Sequence, residues 1–103
     1  MKAIEKLKAA AGVTERRSMH SDALDMVVFA KPLSMGARDK INKHVEKSGG
    51  GMSMFVYAII FCLESEDGDN LFSLEDKKVL MEQIDSAEIR KLGEFIYSES
   101  EKN

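Results

Sequence analysis

The residues with the greatest chemical potential are the carboxylates Glu64, Glu66, Asp67 and Asp69, set around Gly68. Oxygen ligands two residues apart around a glycine are the pattern of a calcium loop, but the register fails here. With Gly68 at the sixth loop position, Leu63 falls at the first ligand and Leu74 at the twelfth, where Asp and bidentate Glu are required. A solvated acidic turn accounts for the cluster: Asp67-Gly68 favours a tight turn, because glycine takes positive φ freely and aspartate bonds its own backbone. His20 and His44 are the only histidines, and a metal site would need both beside a carboxylate such as Asp22, which their spacing does not predict. His44 follows Ile41 by three residues on an expected helix and reads as a half-buried border residue. Cys62 is the single cysteine and lies in an apolar run, where a thiol acts as a small hydrophobe and not as an activated nucleophile. Gly49-Gly50-Gly51 lacks the Lys-Ser/Thr of a P-loop and reads as a linker. Arg16-Arg17, with Arg38, Lys40, Lys43 and Lys47, raises DNA binding, against which stand the acidic second half and a pI near 5.4. No catalytic constellation, cofactor site or metal site is predicted.

These residues belong to a chain of 103 with 44% hydrophobic and 32% charged side chains, the composition of a folded protein and the length of one small domain. A lone cysteine permits no internal disulfide and fits a reducing cytoplasm. The N-terminus lacks a secretory apolar core, and the stretch from Met52 to Leu63 falls short of the about 20 residues a spanning helix needs. Neither export nor membrane insertion is expected. Seven methionines could serve an adaptable apolar surface, although Met26, Met54 and Met81 sit in runs that read as core. Residues 1–50 carry ten Lys/Arg against six Asp/Glu, or +4, and residues 51–103 carry five against twelve, or −7. Such halves could steer head-to-tail association of identical subunits, or they could be solvated faces with no such role.

The expected fold is mainly α: a small bundle of about four to five short helices with one short β-strand or hairpin near residues 18–31, in a single domain over 1–103. Ile4, Leu7 and Ala11 recur at helical spacing before Gly12, giving an N-terminal helix over 1–12. Val13 to Asp25 reads as a connecting segment. Met26-Val27-Val28-Phe29-Ala30 is the best strand, and it needs a partner in the segment before it or in another subunit. Ser34 caps a helix with the stripe Ala37, Ile41, Val45, which ends before a flexible glycine loop over 48–52. The run 52–63 fits a strand by its β-favouring residues and a buried helix by its length; helix is preferred. Ser73 with Asp76, and Asp85 with Glu88, have capping-box spacing and open helices over 73–84 and 85–98, the second with Ile89, Leu92 and Ile96 inward. Residues 98–103 should fray.

This order, with Lys31-Pro32-Leu33-Ser34 closing the strand, Arg38 on the next helix, Glu64-Ser65-Glu66-Asp67-Gly68 after the apolar run, and Leu71-Phe72-Ser73-Leu74-Glu75-Asp76 beyond it, resembles the tail assembly chaperones of long-tailed, lambda-like bacteriophages. The likeness runs from about Met26 onward, and Lys31 stands where the family more often has arginine. The resemblance implies a non-enzymatic protein in the cytoplasm of the bacterial host, encoded by a phage or prophage, that coats the helical tape measure protein before the tail tube forms. It also implies self-association, and contact with the major tail protein through a longer frameshifted form. An exposed apolar stripe on such a partner is covered by an apolar surface on the chaperone. Met52, Met54, Phe55 and Tyr57 are the candidates for that surface, with burial in the core as the competing reading for each. A small oligomeric regulatory or DNA-binding protein is the alternative class; neither nucleic acid nor membrane is an expected partner.

Overall fold

A computed structural model describes residues 2–11, 16–48 and 53–98. The chain runs α1 (Ala3–Ala11), β1 (Arg17–Ser21), β2 (Met26–Ala30), α2 (Met35–Lys47), α3 (Ser53–Cys62), β3 (Leu63–Glu64), a 3-10 turn (Leu74–Asp76), α4 (Lys77–Glu82) and α5 (Ser86–Tyr97). Helix dominates, as expected, but the β element is a three-stranded antiparallel sheet ordered β1-β2-β3 and not a lone strand or hairpin. The segment before Met26 supplies β1, with Arg17, Met19 and Ser21 on the inner face and Ser18 and His20 outward; Arg17 pairs with Ala30 and Ser21 with Met26. Asp22 to Asp25 makes the turn, with Asp25 at φ +54° and the Leu24 N–H donating to Ser21 Oγ at 3.2 Å. The third strand was hidden in the apolar run: α3 stops at Cys62, and Leu63 and Glu64 pair with Ala30 and Phe29.

The run itself is the central helix. Val56, Tyr57, Ala58, Ile59, Ile60 and Cys62 are all buried, because α2, α4 and α5 surround α3. A helix that is apolar on every side shows no amphipathic period, so pattern alone does not separate strand from helix here. Ile41 of α2, Leu80 of α4, and Ile89, Leu92 and Ile96 of α5 close around it, with Val28 and Ala30 from the sheet.

The helix starts follow the capping residues. Ser34 Oγ accepts from the Ala37 N–H at 3.2 Å, and the Asp76 carboxylate accepts from the Ser73 N–H at 2.9 Å. Helix 73–84 is nevertheless split: its first turn is 3-10, and α4 ends at Glu82. The second box is one-sided. Asp85 accepts from the Ala87 N–H at 2.7 Å, while Glu88 Oε2 is buried with no hydrogen-bond partner and does not return the bond. Gly68 takes φ +92° as the turn reading requires. The Gly12 cap, the glycine loop beyond Ser48, and the tail beyond Ser98 lie outside the described residues.

Candidate functional site

The two halves of the motif pattern meet at the sheet. Glu64, 2% exposed, leaves β3 with its carboxylate between Arg16 Nη1 at 2.9 Å and Lys31 Nζ at 3.4 Å. Arg16 also donates to the carbonyls of Ser65 at 3.0 Å and Glu66 at 2.9 Å, and its guanidinium lies 4.4 Å from the Phe29 ring centroid. Lys31 donates its backbone N–H to the Cys62 carbonyl at 3.0 Å. The acidic turn is thus held from below by one ion pair cluster around a buried carboxylate. Ser65 accepts from the Gly68 N–H and donates its own to the Asp69 carbonyl, closing the bend. Glu66, Asp67 and Asp69 stay exposed.

The other basic doublet residue is also used internally. Arg17 donates to the carbonyls of Phe95 at 2.7 Å and Ile96 at 2.8 Å, which satisfies the open end of α5 with a positive charge where the helix dipole favours one. Arg38 lies over Tyr97, Lys40 over Phe61, and Lys43 pairs with Asp39 at 3.3 Å. Arg16, Arg17, Arg38, Lys40 and Lys43 each meet a protein group, so these five are not a row of free phosphate contacts.

The histidines are not brought together. His20 pairs with Asp22 at 3.1 Å on the hairpin. His44 sits half-buried on α2 against the rings of Tyr57 and Phe61, 5.1 Å from each. Among the described residues there is no group of three or more His, Cys, Asp or Glu placed to hold a metal ion. Cys62 is buried, and burial pushes its thiol above the ordinary value.

Of the four candidate surface residues, Met52 lies outside the described residues. Tyr57 is 3% exposed, so its ring belongs to the core and not to a partner surface. Its hydroxyl meets Ser48 Oγ at 2.7 Å, and the Lys77 ammonium lies over its ring at 5.4 Å. Hydrogen bonding to Lys77 first, and to Ser48, holds that hydroxyl below the usual tyrosine range. Met54 and Phe55 are half-buried and line a surface groove of about 460 Å³ with Glu94, Tyr97 and Ser98. Phe55 meets Tyr97 edge-on with ring centroids 6.0 Å apart.

A second, more apolar groove opens between α4 and α5, lined by Val56, Leu80, Met81, Ile84, Ser86 and Ile89. Met81 and Ile84 are 46% and 39% exposed there. The sequence reading placed Met81 in the core, because a six-residue helix has too few turns to show which side faces out. Tyr97 and Glu94 were also missed. Their signal was Gly93, a glycine inside an otherwise regular helix that lets Phe55 approach α5 closely.

Among the described residues no helix is long and apolar enough to cross a membrane. No family model matches the chain, and no curated protein or solved structure matches it.

Proposed function

We propose that this chain is a non-enzymatic tail assembly chaperone of a long-tailed phage or prophage, which binds the tape measure protein and keeps it soluble until the tail tube assembles. The observation that carries the reading is the meeting of the two motif segments: Lys31 at the end of β2 reaches Glu64 at 3.4 Å and Asn70 Oδ1 at 3.5 Å. Residues that define the resemblance from opposite halves of the chain therefore form one structural unit, on which Leu71 and Phe72 close against the core. The Met54–Phe55–Tyr97 groove is the part of the candidate surface that remains open, and its Glu94 rim suits an amphipathic helix with basic flanks.

Co-expression with a helical tape measure segment tests the reading. The wild-type chain is expected to keep the segment soluble and co-purify with it, and Met54→Asp, on the open groove, to lose most of the captured segment while keeping its helical circular dichroism. Equal capture by both would remove the groove from the interface, and no capture by either would remove the function. The genes beside this one offer an independent check: a major tail gene before it and a very long helical reading frame after it. Contact with the major tail protein through a frameshifted extension belongs to the same proposal.

The regulatory or DNA-binding alternative draws no support from Arg16 and Arg17, whose guanidinium groups bond Glu64 and the end of α5. A salt-dependent gel shift is expected to be negative.

A further inference from the structure

α1 buries none of its nine residues, and Ile4 and Leu7 are 66% and 61% exposed. Ile4, Leu7 and Ala11 share one face of this helix, with Lys8 at its edge and Lys6 toward the back. Nine residues are fewer than the roughly 12–15 that an isolated helix needs in water, so a covered stripe is what would hold α1 together. None of its residues lines the α4–α5 groove or the Met54–Phe55–Tyr97 groove of its own chain.

The α4–α5 groove has the matching character. Its lining is apolar apart from Ser86, and the cavity is about 130 Å³, room for aliphatic side-chain atoms. From Val79 to Ile89 the charged residues are Glu82, Asp85 and Glu88, with no Lys or Arg; Lys78 and Arg90 stand just beyond the two ends. α1 carries Lys6 and Lys8 against Glu5, with Lys2 just before it. We propose that α1 of one copy docks in the α4–α5 groove of a second copy, with Ile4 and Leu7 on Met81 and Ile84 and Lys8, at the edge of the stripe, beside the carboxylates. Because helix and groove are different surfaces of one chain, each copy can donate α1 to one neighbour and receive it from another. This face is separate from the Met54–Phe55–Tyr97 groove, so the contact stands whether or not the chain binds a tape measure protein.

Sedimentation of the full-length chain and two variants tests it. Leu7→Asp removes the helix stripe where nothing else in the chain depends on it, and Met81→Asp removes the groove. The wild type is expected to grow in mass with concentration, and each variant to remain monomeric at concentrations at least tenfold higher. Mixing the two variants is expected to restore a single contact, because one keeps an intact groove and the other an intact helix, and to give a two-copy particle that neither forms alone. Should Met81→Asp melt more than about 5 °C below the wild type, Ile84→Asn takes its place in the same mixture. A wild type that stays monomeric, a variant that keeps the wild-type mass, or a mixture no heavier than its components would each overturn the proposal; Met81→Asp keeping the wild-type mass would point to pairing of α1 with α1.

Discussion

Glu64 is the residue on which the sheet and the acidic turn both depend. Its carboxylate is buried, whereas Arg16 and Lys31 keep 36% and 49% of their side chains in water. The two ways of breaking the cluster therefore differ in cost. Arg16→Met leaves a buried carboxylate with one distant lysine and is expected to cost about 3 kcal/mol, at the lower end for a stranded buried charge. Glu64→Gln leaves two cations that can hydrate, and should cost about 1–2 kcal/mol. Urea unfolding of both variants checks the order, and a smaller loss for Arg16→Met would refute it. Titration gives a second residue-scale expectation. Desolvation raises the Cys62 thiol and the Tyr97 hydroxyl, so near the ordinary values of 9.0 and 10.0 the unfolded chain ionises first, and stability falls as pH climbs. Tyr57 has the opposite sign. Its lowered pKa lets the folded chain ionise first, which adds stability as pH rises through that value toward 10.0. Between about pH 8 and 11, Cys62→Ala should lose stability less steeply than the wild type and Tyr57→Phe more steeply, read from urea midpoints at each pH.

At the scale of elements, two glycines in helices separate local propensity from packing. A Cβ on Gly36 in α2 would meet only Ser34 Oγ at 3.8 Å, so Gly36→Ala should stabilise by up to about 1 kcal/mol through lost backbone freedom in the unfolded chain. A Cβ on Gly93 would come within 2.7 Å of Phe55 Cβ, and Phe55 is fixed on the central helix. Gly93→Ala must push α5 from α3, and the expected loss is about 1–3 kcal/mol despite the better helix propensity. Thermal melts of the pair should move in opposite directions. The same contrast explains what was legible from the sequence. Helix starts at Ser34, Ser73 and Asp85 were readable because a capping bond joins residues two or three apart. β1 was legible only through the hairpin alternative near residues 18–31, since a polar five-residue strand has no apolar alternation and gains its identity by pairing with Met26–Ala30. β3 is two residues long, and nothing local distinguishes it from the end of α3. The candidate surface divides for a related reason: Met54, Phe55 and Tyr57 are neighbours in sequence, yet the helix turns Tyr57 into the core between His44 and Phe61 and leaves the other two beside Tyr97.

For the whole molecule, the uneven charge of +4 and −7 becomes meaningful only when placed on the fold. Much of the positive half is neutralised within the chain, through Arg16 on Glu64, Arg17 on the end of α5 and Lys43 on Asp39. The lysines of α1 lie outside those contacts, on a helix that buries nothing. A helix this short, with its apolar stripe in water, opens and closes at a free-energy cost close to zero, whereas the same helix seated in a groove opens only when the contact breaks. Amide hydrogen exchange therefore reports docking directly. In the Met81→Asp monomer the amides of α1 should exchange nearly as fast as in an unstructured peptide, while those of α3 and α5 keep the protection of the core. In the wild type at high concentration, α1 should gain protection of about tenfold or more, and dilution should abolish it without changing α3. Protection of α1 that persists on dilution would mean that the helix is covered within its own chain, and would remove the neighbour's groove as its seat.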